Sequence, residues 1–403
     1  MSQQTLSPLK RSIVGVQFMF VAFGSTVLVP LLVGFDPAIA LLAAGLGTLL
    51  FHAVTGGKVP IYLGSSFAFI APIIKATELY GLSGMFCGLV AVGLVYILMS
   101  FLVKLFGVKF IKKLFPPIVI GPVIILIGIS LAGTGVDMAS KNWILALVSL
   151  FVAIICSCWG KGMIKLIPVV FGALAGYIVA VIFYRSSMDF SGVANAPWFQ
   201  LPHFSKMSLS WQAIVFMAPV AIAPIIEHVG DVYAISEIAG KDFVKDPGLH
   251  RTMLGDGLAC TLAAFLGGAP VTTYSEVTGA VSLTKVTDPA CMRIAALSAI
   301  LISLVGKVGA AIQTIPTAVL GGIMLLLFGS IASVGISNLV KAQIDMNKTR
   351  NLIIASLILT IGIGGAVISF GKFSLAGIGL ASVVGVILNL IIPDKKEAEE
   401  VNA

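Results

Sequence analysis

The chain has 403 residues, 58% hydrophobic and only 10% charged, with a mean hydropathy of +1.09. A soluble domain carries about 25% charged residues, so a water-soluble globular protein is excluded and a polytopic membrane protein is expected. The net charge of +8 is spread between apolar stretches and forms no patch, which excludes nucleic acid and leaves the lipid bilayer as the partner.

Lys10 and Arg11 precede an apolar run from Ile13 to Gly34. That run is too long for a signal sequence and lacks a small-residue cleavage site, so it reads as the first spanning helix. A span needs about 20 apolar residues. On that rule fourteen segments follow: 12–34, 37–55, 60–76, 81–106, 114–135, 142–159, 163–184, 211–235, 250–267, 270–285, 290–313, 316–336, 350–369 and 373–393. With the N-terminus in the cytoplasm, nineteen of the 25 Lys and Arg residues fall inside and six (Lys75, Lys141, Arg185, Lys206, Lys307, Lys372) fall outside. That bias supports fourteen spans and places both termini in the cytoplasm, with a polar tail at 394–403. The long connection 185–210 is external, and Trp198, Phe199 and Trp211 suit interfacial anchoring. The five cysteines are odd in number and lie mostly in apolar segments, so no disulfide is expected. Cys156-Ser157-Cys158 has no His or second Cys pair nearby, so neither a metal nor another cofactor is expected.

Seven segments per half require a second copy to insert upside down. The expected fold class is therefore an all-α polytopic membrane protein of two inverted seven-segment repeats. Segments three and ten are short and correspond in place, Phe67 against Ser275. Paired interrupted segments in inverted halves point to a transport site. In segment ten, Pro270 and then Val271, Thr272, Thr273 and Tyr274 favour extended backbone, with Glu276 near the start of a helix. Segment three is alike, with Pro60-Ile61-Tyr62-Leu63-Gly64-Ser65-Ser66-Phe67 ahead of a helical run. Extended backbone at membrane depth is allowed where it is buried in protein or lines a cavity. The N–H groups of Phe67 and Ser275 would then read the edge of a flat polar ligand. The alternative is two kinked helices packed through small residues.

Glu227, Asp231 and Glu276 lie in stretches that otherwise suit lipid. At about 2.5–3.5 kcal/mol each at the bilayer centre, the three acids together cost about 8–10 kcal/mol if ionised and unpaired. Glu227 and Asp231 stand one helical turn apart on one face of segment eight. Two close acids in a dry site cannot both ionise cheaply, which suits proton coupling. A structural hydrogen-bonded pair is the alternative. His228 lies about 100° around the helix and reads as packing or as support behind the site, with direct coupling the alternative; Asp256 in segment nine reads as structural, near the cytoplasmic end. Ser25 in segment one either lines the site or packs helices.

Several motifs in order resemble the nucleobase–ascorbate transporter family. They are Gly64-Ser65-Ser66-Phe67-Ala68-Phe69, Glu227-His228-Val229-Gly230, Asp246-Pro247-Gly248-Leu249-His250-Arg251, and Thr272-Thr273-Tyr274-Ser275-Glu276 with Gly279 and Thr284-Lys285. The resemblance implies a core domain (1–110 and 210–314), a gate domain (111–209 and 315–393), and often a homodimer. It implies import of a nucleobase with a proton across the inner membrane of a bacterial-type cell, with uracil the first candidate. The implied substrate-binding set is Glu227, Glu276, Phe67, Ser275, Tyr274, Ser25 and Ser66; the proton-coupling set is Glu227, Asp231 and Glu276. Three positions depart from the pattern of members that carry uracil. Val277 stands where Asn is usual, Asp231 where His is usual and Ser275 where Gly is usual. Glu276 at the head of that signature still favours a pyrimidine. The alternatives are a xanthine or other purine permease, and an anion carrier of the same architecture, which would need a net positive site. Acid rings would also suit a channel, but interrupted inverted halves suit alternating access better. No nucleophile motif or phosphate loop supports an enzyme.

Overall fold

The structure, a computed structural model, describes residues 7–202, 204–370 and 373–392. The tail 394–403 lies outside the described residues. The first helix, α1 (Pro8–Val33), opens with Ser7 accepting from the Lys10 N–H and Pro8 in its first turn. The next, α2 (Pro37–Val54), opens the same way: Asp36 accepts from the Ala38 N–H at 2.8 Å, and Pro37 lacks a donor to satisfy. The chain then runs extended into β1 (Leu63–Ser65) and a 3₁₀ turn (Phe67–Phe69) before α3 (Ile70–Phe106). The 37 residues of α3 bend at Gly81, whose φ of 71° only glycine adopts cheaply, so it contains both the end of segment three and segment four.

Seven helices follow as α4 (Val108–Leu114), α5 (Pro117–Ser130), α6 (Ala132–Ser140), α7 (Trp143–Trp159), α8 (Met163–Leu166), α9 (Pro168–Phe183) and α10 (Ser191–Asn195). The long connection 185–210 is tied to the rest of the chain. Gln200 N–H donates to Leu304 O at 3.0 Å, and Phe199 bridges to Val305. Segment eight is α11 (Trp211–Met217), a 3₁₀ turn (Ala218–Ala221) and α12 (Ile222–Ala239). Next come α13 (Leu249–Leu266), β2 (Val271–Thr273) and α14 (Ser275–Thr284). Segment eleven divides into α15 (Pro289–Ser303) and α16 (Gly306–Gln313), and α17 (Thr317–Lys341) is unbroken.

Segments thirteen and fourteen differ from expectation. Residues 364–369, expected within a helical span, are not helical: α18 (Thr349–Ile363) ends at Gly364-Gly365. Its 15 residues reach about 22 Å, short of a hydrocarbon core of about 30 Å. Val367 and Ile368, β-branched, then enter an antiparallel hairpin of β3 (Val367–Phe370) and β4 (Phe373–Ala376), and α19 (Gly377–Ile391) closes the described chain. Among the described residues, six helical runs are long and apolar enough to cross a membrane, with five shorter apolar helices beside them.

The helices pack in two groups. In one, α13 lies against α2 and α3, α15 against α1 and α2, and α11 against α3. In the other, α17 lies against α5, α6 and α7, α7 against α9, and α18 against α5 and α19. Exposed Leu98, Phe101, Phe151, Ile182, Phe183 and Leu301 give both groups an apolar exterior, as lipid contact demands.

Candidate binding site

The strands β1 and β2 meet in the middle of the first group. They pair antiparallel with Leu63 opposite Thr273, Gly64 opposite Thr272 and Ser65 opposite Val271, and Ser66 N–H donates to Pro270 O. All six strand residues are buried. A two-stranded ladder leaves outer groups unpaired, which apolar surroundings make costly. Side chains supply partners here. Thr48 Oγ1 on α2 accepts from the Leu63 N–H at 2.9 Å, a His52 Nε2 lies 3.0 Å from Ile61 O, and Cys260 Sγ on α13 donates to Val271 O.

Tyr274, just after β2, folds back along β1 and donates to Ser65 O at 2.8 Å. Gly64 makes room for it, since a Cβ there would lie 2.3 Å from Tyr274 Cε2. Phe67 and Ser275 begin their helical turns, so their N–H groups have no partner inside the helix. Two helix starts, each a partial positive pole, thus converge beside the crossing.

The acids arrive from three helices. On α12, Asp231 is buried and doubly bonded: Ser275 Oγ donates to its Oδ1 at 2.7 Å and Thr273 Oγ1 to its Oδ2 at 2.8 Å. Glu276, half-buried in the first turn of α14, faces buried Ser25 on α1. Glu227, one turn before Asp231, is half-buried and within electrostatic reach of Asp231, Glu276 and Asp256. Asp231 and Asp256 accept hydrogen bonds from Ser275 and Thr273, whereas the Glu227 carboxylate accepts none from a described residue.

Two parts were not foreseen. Asp256 on α13 is fully buried; its Oδ2 accepts from the Thr273 N–H at 3.4 Å and sits 2.8 Å from His228 Nδ1, rather than lying near an end of its helix. Phe328, from α17 in the other helix group, meets the Phe67 ring edge-on with centroids 6.2 Å apart. A lone Phe in an apolar helix carries no signal for this. Of the named candidates, Ser275 meets Asp231, Ser25 meets Glu276 and Tyr274 meets β1; Ser66 is buried with its backbone in the ladder. Two cavities lie elsewhere, one along Leu325–Ser337 on α17 and one among Asp36, Asn195, Gln200 and Gln313. Among the described residues, no cluster of His, Cys, Asp and Glu could hold a metal.

Comparison with known proteins follows the same lines. A protein named "Probable uracil permease" from Haemophilus influenzae is 49% identical over 403 residues, spanning 98% of this chain and 97% of that one. A "Uracil permease" from Bacillus caldolyticus is 45% identical, spanning 95% of this chain and 92% of that one. In structure, the transmembrane domain of a cyanobacterium bicarbonate transporter superposes with a TM-score of 0.65 at 16% identity, covering 96% of this chain and 99% of that one, a likeness of fold alone. Residues 9–370 match the family described as "Permease family". Sequence likeness of that depth, along nearly the whole length, settles membership: the chain belongs to this permease family, and it is a membrane transporter rather than an enzyme.

Proposed function

We propose that the protein imports uracil together with a proton. The observation that carries this is the open carboxylate of Glu227 beside the two helix starts at Phe67 and Ser275. Uracil's rim alternates N–H donors with carbonyl acceptors. Carboxylates of Glu227 and Glu276 suit the donors, and the backbone N–H groups of Phe67 and Ser275 suit the carbonyls. Tyr274 and Ser66 would wall the pocket, and Ser25 would aim Glu276. The names of the relatives support uracil as the base.

Glu227 takes a proton and then the base, with Asp231 and Glu276 sharing the charge. The helix group of α1–α3 and α11–α15 then acts as a core domain moving against a gate of α5–α9 and α17–α19. Fourteen spans in two inverted sevens, with both termini in the cytoplasm, complete the topology; the Lys and Arg bias supports that orientation. Assembly as a homodimer rests on the family resemblance and is checked by native mass spectrometry. The anion carrier is disfavoured because four acids crowd a site that would have to be net positive.

A thermal-shift panel tests the substrate. Uracil should stabilise the purified protein progressively as its concentration exceeds Kd. Stabilisation by xanthine or bicarbonate but not by uracil would overturn the assignment.

A further inference from the structure

The chain passes between the two helix groups three times. The first passage, from α3 to α4, goes through Gly107, whose φ of 76° glycine adopts cheaply. Beyond it, α4 is tied to the gate side: Asn389 Nδ2 on α19 donates to Lys113 O at 2.9 Å, and Arg350 on α18 donates to Asn389 Oδ1 at 2.8 Å. The third passage, from α16 to α17, crosses Thr314, Ile315 and Pro316, and Tyr177 OH on α9 lies 2.7 Å from Thr314 Oγ1.

The second passage is the long connection 185–210, and its contacts change sides part-way. Tyr184 and Met188 pack on the cluster of Leu145, Ala180, Ala318 and Val319 in the gate group. From Ser191 onward the partners belong to the core. Lys307, in the first turn of α16, donates from Nζ to Val193 O at 3.0 Å and Ala194 O at 3.3 Å, and stands 5.6 Å over the Trp198 ring. That helix packs on α2 and α15. Gln200 and Phe199 bond the junction of α15 and α16 at Leu304 and Val305. Ser208 N–H donates to Ser83 O on α3 at 3.1 Å, and Ser208 Oγ to Ser83 Oγ at 2.9 Å. A loop that merely joins two bodies leaves its polar backbone to water. Here backbone groups at three places along it are satisfied by one helix group.

From this we infer that residues 191–202 and 204–210 form a strap fixed to the core, that Lys307 positions it, and that the core swivels on the gate at Asp189 and Phe190. This rests on the core-and-gate reading above and names its pivot. Met188 and Ile315 pack on the same gate cluster, so the second and third passages stand side by side on the face read as external. Two adjacent pivots define an axis there. Rotation about that axis moves the far end of the core most, and Gly107 is where the chain absorbs the change. Hinges are a few residues that take up a large change of φ and ψ between bodies that stay rigid. Pinning the strap to the core shortens the free part of the connection to such a hinge, so motion of one group is passed on with little slack.

The test uses the full chain reconstituted in liposomes, with Cys158→Ser to remove the exposed cysteine. Ser83→Cys with Ser208→Cys is then oxidised to a disulfide, which the touching hydroxyls make geometrically accessible. Uptake of labelled uracil should be the same oxidised and reduced, because a strap that travels with the core loses nothing when locked to it. Phe67→Cys with Phe328→Cys, linked across the two groups, should stop uptake. Separately, Lys307→Met should lower the maximal uptake rate several-fold while the Kd for uracil stays parental. Lys307→Arg keeps two donors and the stacking on Trp198, and should restore the rate. Uptake lost on oxidation of the Ser83–Ser208 pair and regained on reduction overturns the inference, since the strap would then have to leave the core. So does a parental rate in Lys307→Met, which decides alone if the cysteine pair does not fold or oxidise. Full uptake in both linked proteins defeats the core-and-gate reading, and the pivot with it.

Discussion

Glu227 and Asp231 differ in the company they keep, and that difference divides their roles. Asp231 has its two oxygens engaged by Ser275 and Thr273, so it is held. Glu227 has an open carboxylate and is free to meet a ligand. Hydrogen bonds to charged groups are worth about 1.5–3 kcal/mol, so Glu227→Gln should weaken uracil binding by about 10- to 150-fold, as isothermal titration would record. Ser275→Ala removes one donor from a buried acid and should cost about 1–3 kcal/mol of stability, read as a lower melting temperature in detergent. An unchanged melting temperature would show that the Ser275 bond does not stabilise Asp231. These acids were legible in the sequence because charge in an oily segment is expensive and therefore stands out. The contacts of Asp256 were not, because its partners His228 and Thr273 lie 28 and 17 residues away and no local pattern joins them. Phe328 was invisible for the opposite reason: it looks like every other apolar residue of its helix.

The strand crossing is the element on which the site depends. Its two segments show themselves by Pro60, Pro270 and the β-branched and hydroxyl residues near them, which disfavour a helix. Their mutual register could not be read, since it is set by Thr48, Cys260 and Tyr274 acting across helices. Gly64→Val should drive Tyr274 off Ser65 and splay the crossing. We expect uracil-induced thermal stabilisation to vanish while the apolar helices still insert; retained stabilisation would show that Tyr274 packing is dispensable. The β3–β4 hairpin was missed because Val367, Ile368 and Phe370 are as apolar as a helical span, and hydropathy alone cannot separate the two.

At the scale of the whole molecule, hydropathy revealed a polytopic membrane protein, the ordered motifs pointed to a permease, and the two helix groups emerge only from packing. The Phe67–Phe328 contact joins those groups just after β1. If the groups move against each other, cysteines at these two positions joined by a reducible bifunctional thiol reagent should stop uptake, and reduction should restore it. Full uptake with a completed crosslink would rule out relative motion at this contact.

The central claim is that an open acid at Glu227 couples a nucleobase to a proton. The most direct measurement is uptake of labelled uracil into liposomes under an inward pH gradient, comparing the parent with Glu227→Gln, with and without a protonophore. We predict concentrative uptake by the parent, collapse with the protonophore, and none by the variant. Concentrative uptake that persists in Glu227→Gln, or that ignores the protonophore, would contradict it.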